Sequence, residues 1–303
     1  MRAVVVAKYG PPEGLQIRDV EKPVPRNNEI LVKIYATTVT YGDAKLRSFS
    51  LPIRLLFGLF SFRLGKNKIL GHEFSGEIEE IGRDVTLFKP DDRVFASAGV
   101  RGGAHAEYIC IPEDSMVAIK PDNITFEEAA AVPIGGNTAL YILQKANIVN
   151  GQKVLVYGAS GSVGSYAIQL AKFWGAEVTG VCSTKNLEWV RNLGADHVID
   201  YTKSNFTDGD KTYDVIFDAV RKISSSQCKK LLDEKGVFLS TSSSTEEKVE
   251  NLVFLKELIE ARKLKPVIDR QYLLEEIAEA HRYVDKGHKQ GNVVVTITSS
   301  RAK

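Results

Sequence analysis

The sequence predicts an α/β fold: a doubly wound parallel sheet preceded by a strand-rich, mostly antiparallel domain. Three observations carry this. From about Thr125 onward, apolar strand-like runs alternate with helical stretches, which is the pattern of a parallel sheet covered by helices on both faces. A small-residue turn, Ala159-Ser160-Gly161-Ser162-Val163-Gly164, joins a continuously apolar run to an amphipathic stretch. Before Thr125 the strand signals are short, and Pro11-Pro12, Pro23, Pro25, Gly82, Pro90 and Gly102-Gly103 punctuate them. A length of 303 residues suits two domains.

The elements follow in order. Ala3 to Ala7 is a short apolar run that stops at Lys8 and reads as a first strand rather than a signal peptide. Ile30 to Ile34, Phe74 to Ile81 and Ala106 to Ile111 are further strand signals. Thr125-Phe126-Glu127-Glu128 is a capping box that opens a helix, and a second helical stretch covers about Asn137 to Lys145. Lys153 to Tyr157 is a continuous apolar run from Val154 on, as a strand buried on both faces should be. Helices over Val163 to Phe173 and Lys185 to Leu193 alternate with strands at Glu177 to Val181, His197 to Ile199, Val215 to Phe217 and Val237 to Leu239. A helix from Glu246 to Arg262, another from Leu273 to Val284 and a strand from Val293 to Ile297 close the chain. The domains are expected at 1–122, completed by 266–303, and at 123–265.

Composition excludes several classes. Acidic residues (38) interleave with basic ones (40), so no basic footprint for nucleic acid appears. Cys110, Cys182 and Cys228 are far apart and form neither a disulfide framework nor a metal knuckle, which suits a reducing, cytoplasmic location. The most apolar stretch, Leu51 to Phe60, is too short to span a bilayer, which takes about 20 residues. It reads as a core or interface helix, with a pocket wall or a membrane-surface contact as alternatives.

The turn carries the chemistry. Placed between a buried strand and a helix, Ala159 and Gly161 keep the bend small. Gly161 lets backbone amides approach a pyrophosphate, and Gly164 lets the helix pack on the strand. The cofactor's pyrophosphate then meets the positive end of the helix dipole. An NAD site usually ends the next strand with an acid, but here the chain reads Val181-Cys182-Ser183-Thr184-Lys185. A carboxylate about 4 Å from a phosphate would cost several kcal/mol even at an effective dielectric of about 20, so two hydroxyls and a lysine favour NADP(H).

The motif Gly71-His72-Glu73-x-x-Gly76-x-x-x-x-x-Gly82-x-x-Val85, the stretch Ala131-Val132-Pro133-Ile134-Gly135-Gly136-Asn137-Thr138-Ala139 and the turn 159–164 occur together. In this order the chain resembles the medium-chain dehydrogenase/reductases, and within them the zinc-free quinone oxidoreductase branch. The resemblance covers nearly the whole chain. It implies a chaperonin-10-like first domain and a cleft between the domains. It also implies that Ser183, Lys185 and Tyr201 hold the adenosine phosphate, that Thr138 lies near the nicotinamide side, and that Thr40 lines the substrate cleft where the branch usually has Asn. Zinc members place cysteines where this chain has Thr40 and near Ile134, and only His72 remains of their three ligands. The region from about Arg83 to Tyr108 also has no cysteine, so no metal is expected, and His72 is expected to be a structural hydrogen-bonding residue, with a substrate-polarising role as the alternative.

Two departures from the family stand out. Arg221 follows Asp218-Ala219-Val220 where a glycine is usual. The link after Ser240 is too short for the crossover to a sixth strand, because a parallel crossover needs a dozen or more residues. Without that strand the usual homodimer is in doubt.

The leading expectation is NADPH-dependent hydride transfer to a quinone or an α,β-unsaturated carbonyl, with Thr40, Tyr41 and backbone amides as donors to the developing oxyanion. One alternative is a zinc-free alcohol or aldehyde oxidoreductase using Tyr41 and Lys45, neighbours at i and i+4. Another, motivated by Arg221 and the shortened sheet, is a cofactor-binding protein with little catalysis.

Overall fold

The structure, a computed structural model, describes residues 1–49, 68–208 and 210–297. The apolar stretch Leu51 to Phe60 lies outside the described residues. The strands and helices are, in chain order, β1 (Arg2–Val6), β2 (Leu15–Asp19), β3 (Glu29–Thr38), α1 (Tyr41–Ser48), β4 (Lys68–Ile69), β5 (Glu73–Ile81), β6 (Arg93–Ser97), β7 (Tyr108–Pro112), β8 (Val117–Ile119), α2 (Phe126–Ala130) and α3 (Pro133–Leu143). There follow β9 (Lys153–Tyr157), α4 (Ser162–Phe173), β10 (Glu177–Cys182), α5 (Leu187–Asn192), β11 (His197–Asp200), β12 (Tyr213–Asp218), α6 (Ser225–Cys228), β13 (Leu232–Ser240), α7 (Val249–Glu260), β14 (Ile268–Leu273), α8 (Ile277–Asp285) and β15 (Asn292–Thr296). They form two compact units, Met1–Ile134 with Ile268–Lys303, and Gly135–Val267.

The first unit is built on β3, a ten-residue strand that pairs with β5, β7 and β15, all antiparallel. Register shifts at Leu31/Val32 and Ile34/Ala36 bend β3, which lets one strand serve several partners. Ile30, Val32, Ile34, Phe74, Ile78, Val94, Val293 and Val295 are all buried and form one core with Ile277, Ala280 and Val284 of α8. The capping box at Thr125 is present. Its helix α2 belongs with this unit and not, as expected from the sequence, with the second. Phe126 stacks on Tyr35 at 4.5 Å, and Ala130 and Ala131 bury against Ala36 and Val294. The helix expected from Leu273 begins at Ile277, and the chain 268–273, to which the sequence reading assigns no strand, forms β14. It is a polar edge strand, parallel to β15, and its partial exposure leaves no apolar alternation to read.

The second unit is the expected parallel sheet, in the order β11-β10-β9-β12-β13. Val154, Leu155 and Val156 of β9 are fully buried, as a central strand covered on both faces requires. The order reverses between β9 and β12, so their carboxyl ends open the crevice where open α/β sheets bind ligands. Among the described residues the sheet has five strands. After Ser240 the chain turns through 241–248 directly into α7, with no sixth strand.

Candidate functional site

The dinucleotide turn begins one residue earlier than the sequence pattern indicates. Gly158 has φ 80, a conformation that costs a residue with a Cβ, and its amide donates to the Val181 carbonyl at 3.1 Å. Gly164 is held against this bend, since a Cβ at Gly164 would collide with the Gly158 carbonyl oxygen and lie 2.9 Å from Ala159. Gly161 is the N-cap of α4 and offers no side-chain oxygen to its first turn. The first-turn amides of a twelve-residue helix therefore face the crevice without a side-chain cap, which is the feature an anionic pyrophosphate uses. Ala159, Ser160, Ser162 and Val163 complete the bend. Gly135 of α3 is also tight against it, because a Cβ there would meet the Ser162 hydroxyl. Thr138, one helical turn on from Gly135, is partly exposed.

The residues expected to hold the adenosine phosphate come together at the end of β10. Asn186 ties this corner to the turn, since its Nδ2 donates to Ser160 Oγ at 2.9 Å and to Ser183 Oγ at 3.3 Å. The Tyr201 amide donates to the Cys182 carbonyl at 3.1 Å, so Tyr201 begins just beside Ser183 and is 47% exposed. Lys185 is exposed on the same short connection. Sequence reasoning missed Asp200, the register partner of Cys182. Its carboxylate accepts the hydroxyls of Thr184 at 2.5 Å and Thr202 at 2.6 Å, which hold it below the usual carboxylate range. The sequence signal available was its position immediately before Tyr201.

On the other side of β9, Asp218 ends β12 and is fully buried. It accepts backbone amides from Val220 at 3.1 Å, Lys222 at 3.3 Å and Ile223 at 3.3 Å. This organises the loop 219–223 and sets Val220 against Gly158, where a Cβ would lie 2.5 Å from the valine. Arg221 sits at the crown of the loop with φ 58 and is exposed to solvent.

In the first unit, Thr40 is the N-cap of α1, in a capping box with Asp43. Its hydroxyl donates to Asp43 Oδ2 at 2.6 Å and accepts the Asp43 amide at 3.0 Å. Asp43 is fully buried and also accepts the Gly71 amide at 2.9 Å, while its Oδ1 lies 2.7 Å from His72 Nδ1. Burial alone would raise the Asp43 carboxyl, but His72, His105 and the Thr40 hydroxyl outweigh it and hold it well below the usual range. Burial alone would lower His72, and Asp43 reverses that so that the imidazole sits above its ordinary value. Glu73 beside it is also buried. It accepts the Thr38 hydroxyl at 2.5 Å and the Ile134 amide at 2.7 Å. Tyr41 is 61% exposed, and Lys45 Nζ lies 5.1 Å from the centre of its ring.

Comparison with known proteins matches residues 26–122 to the alcohol dehydrogenase GroES-like domain and residues 162–268 to the zinc-binding dehydrogenase family. The chain is 32% identical to 2-methylene-furan-3-one reductase of Solanum lycopersicum, over 97% of its own length and 79% of that protein's. It is 30% identical to human quinone oxidoreductase, covering 95% and 94% of the two chains. The chain belongs to the medium-chain dehydrogenase/reductases. Among solved structures, Escherichia coli quinone oxidoreductase in complex with NADPH superimposes with a TM-score of 0.84 at 26% identity, covering 98% of this chain and 100% of that one. The Coxiella burnetii quinone oxidoreductase gives 0.85 at 27% identity, over 98% and 99%. Fold and relatives place this medium-chain dehydrogenase/reductase in the quinone oxidoreductase-like branch.

The second family's description raises zinc, and the residues at hand do not fit it. Thr40 spends its hydroxyl on Asp43, His72 turns one ring nitrogen to Asp43, and Ile134 offers only backbone. A catalytic zinc takes three protein ligands, and among the described residues no group of three His, Cys, Asp or Glu is placed to hold a metal. We derive no step through zinc.

Proposed function

We propose that the protein is an NADPH-dependent, zinc-independent reductase of quinones or α,β-unsaturated carbonyl compounds. The observation that carries this reading is a complete dinucleotide turn in a chain whose family zinc ligands are reduced to His72, itself hydrogen-bonded to Asp43. Relatives named as quinone and furanone reductases support the substrate class. When bound, NADPH supplies a hydride.

The chain's own residues do the rest. Gly158 and Gly164 shape the bend, and the uncapped first turn of α4 takes the pyrophosphate. Ser183, Lys185 and Tyr201 hold the adenosine phosphate; β10 itself ends without an acid, and the neighbouring Asp200 carboxylate is engaged by the Thr184 and Thr202 hydroxyls. Thr138 acts near the nicotinamide end. Of the two proposed donors to the substrate oxygen, Tyr41 has the exposed hydroxyl. Thr40 is committed to Asp43 and so fixes the start of α1. Lys45 lies over the Tyr41 ring, so the pair gives the alcohol oxidoreductase alternative no direct support. The three cysteines are unpaired and no described helix is long and apolar enough to cross a membrane, which supports a cytoplasmic location.

The test is NADPH consumption against a panel of quinones and enones at saturating cofactor. We expect turnover with at least one class. Binding of NADPH with no turnover across the panel would replace this reading with that of a cofactor-binding protein.

A further inference from the structure

Arg221 stands out by its backbone. Among the described residues four non-glycines have positive φ: Asp91, Asn147, Arg221 and Arg262. Asp and Asn tolerate this region, and Asn147 ends a helical turn. Arg262 closes α7, its amide donating to the Ile259 carbonyl. Arg221 has neither excuse. It lies in a loop whose conformation the buried Asp218 fixes through three backbone amides, where a glycine would sit without strain.

Its place is also specific. The loop follows the carboxyl end of β12, at the reversal of strand order, and Val220 packs on Gly158 of the dinucleotide turn. Ser183, Lys185 and Tyr201 lie across β9 on the opposite side. A dinucleotide spans such a crevice, so Arg221 borders the half away from the adenosine phosphate. Its guanidinium is exposed and forms no ion pair among the described residues.

We propose that Arg221 is a specificity-determining residue that binds an anionic group, a carboxylate or phosphate, at this half of the site. The anion has two possible sources, a substrate or the cofactor's own pyrophosphate, and a planar guanidinium suits either through paired hydrogen bonds. The proposal rests on the reductase reading above.

The test uses the full-length protein and the variants Arg221→Gly, Arg221→Gln and Arg221→Lys. Two quantities are measured: the dissociation constant for NADPH by titration, and kcat/KM for a 4-oxo-2-enoic acid relative to its neutral methyl ester. If the anion is on the substrate, Arg221→Gly and Arg221→Gln lower the acid-to-ester ratio about fivefold or more, Arg221→Lys recovers part of it, and NADPH binding holds. If it is on the cofactor, NADPH binding weakens about fivefold in the neutral variants and the ratio holds. Unchanged NADPH binding together with an unchanged ratio in folded Arg221→Gly and Arg221→Gln overturns the proposal. Absence of turnover in the wild type strikes the reductase reading instead. The titration then still decides, because with no substrate to bind, unchanged NADPH affinity refutes the role of Arg221. Thermal melting checks folding, and Arg221→Gly is expected to melt no lower than wild type because it relieves the backbone.

Discussion

Burial pushes the Glu73 carboxyl from an ordinary value near 4.5 up to about 7, against the opposing hydrogen bonds from Thr38 and Ile134. An acid whose folded pKa is raised binds its proton more tightly in the native state, so it costs stability as pH rises from 4.5 through about 7. The Glu73→Gln variant lacks this cost. Its stability relative to wild type should climb across that window, by up to about 3 kcal/mol, in urea unfolding followed at several pH values. A parallel offset at all pH values would show that folding does not raise the Glu73 carboxyl. His72, raised like Glu73, also loses stability as pH rises, whereas Asp43, which is lowered, runs the other way. The His72 contribution is present below 6.5 and fades as pH rises through its higher folded value, while that of Asp43 is present above 3.8 and fades only in stronger acid. At the cofactor end, Ser183→Asp restores an acid to the end of β10. It should shift the preference from NADPH toward NADH by about tenfold or more in the ratio of dissociation constants. An unchanged ratio would remove the adenosine phosphate from this corner.

At the scale of elements, the connection from β9 to α4 positions the cofactor site. Gly164→Ala places a methyl group against the Gly158 carbonyl and Ala159, all of it backbone that cannot rotate away. We expect NADPH affinity to fall at least about tenfold and stability to fall by about 1–3 kcal/mol, read by titration and denaturant unfolding. Retained affinity would mean that the bend has slack its glycines do not suggest. This element was legible in the sequence because it is local: the apolar run, the small residues and the amphipathic helix lie within about twenty positions. The capping boxes at Thr125 and around the α1 start are local too, but only the first was read. At Thr40 the residue drew attention for its place in a family motif, and the Asp three positions on went unnoticed. What escaped was long-range or polar. β14 carries no apolar alternation, and the grip of Asp218 on 220–223 depends on a loop conformation that no periodicity encodes. The buried Glu73 looks like any charged residue until its neighbours are assembled from β3 and the start of α3.

For the whole molecule, the division into a strand-rich unit and a parallel-sheet unit followed from the change of texture near Thr125 and from the return of the tail. The fate of α2 did not follow, because a capping box announces a helix but not the surface it packs on; Phe126 stacking on Tyr35 decides that. The short link after Ser240 was readable as chain length alone, and among the described residues the parallel sheet has five strands. The reaction class is the claim on which the rest depends, and isotope transfer tests it most directly. NADPH carrying deuterium at the transferable position is incubated with the protein and a simple enone, and the product is analysed for the site of the label. The account predicts deuterium on the carbon β to the carbonyl, with the carbonyl intact. Deuterium on the carbonyl carbon, with an alcohol as product, would contradict it.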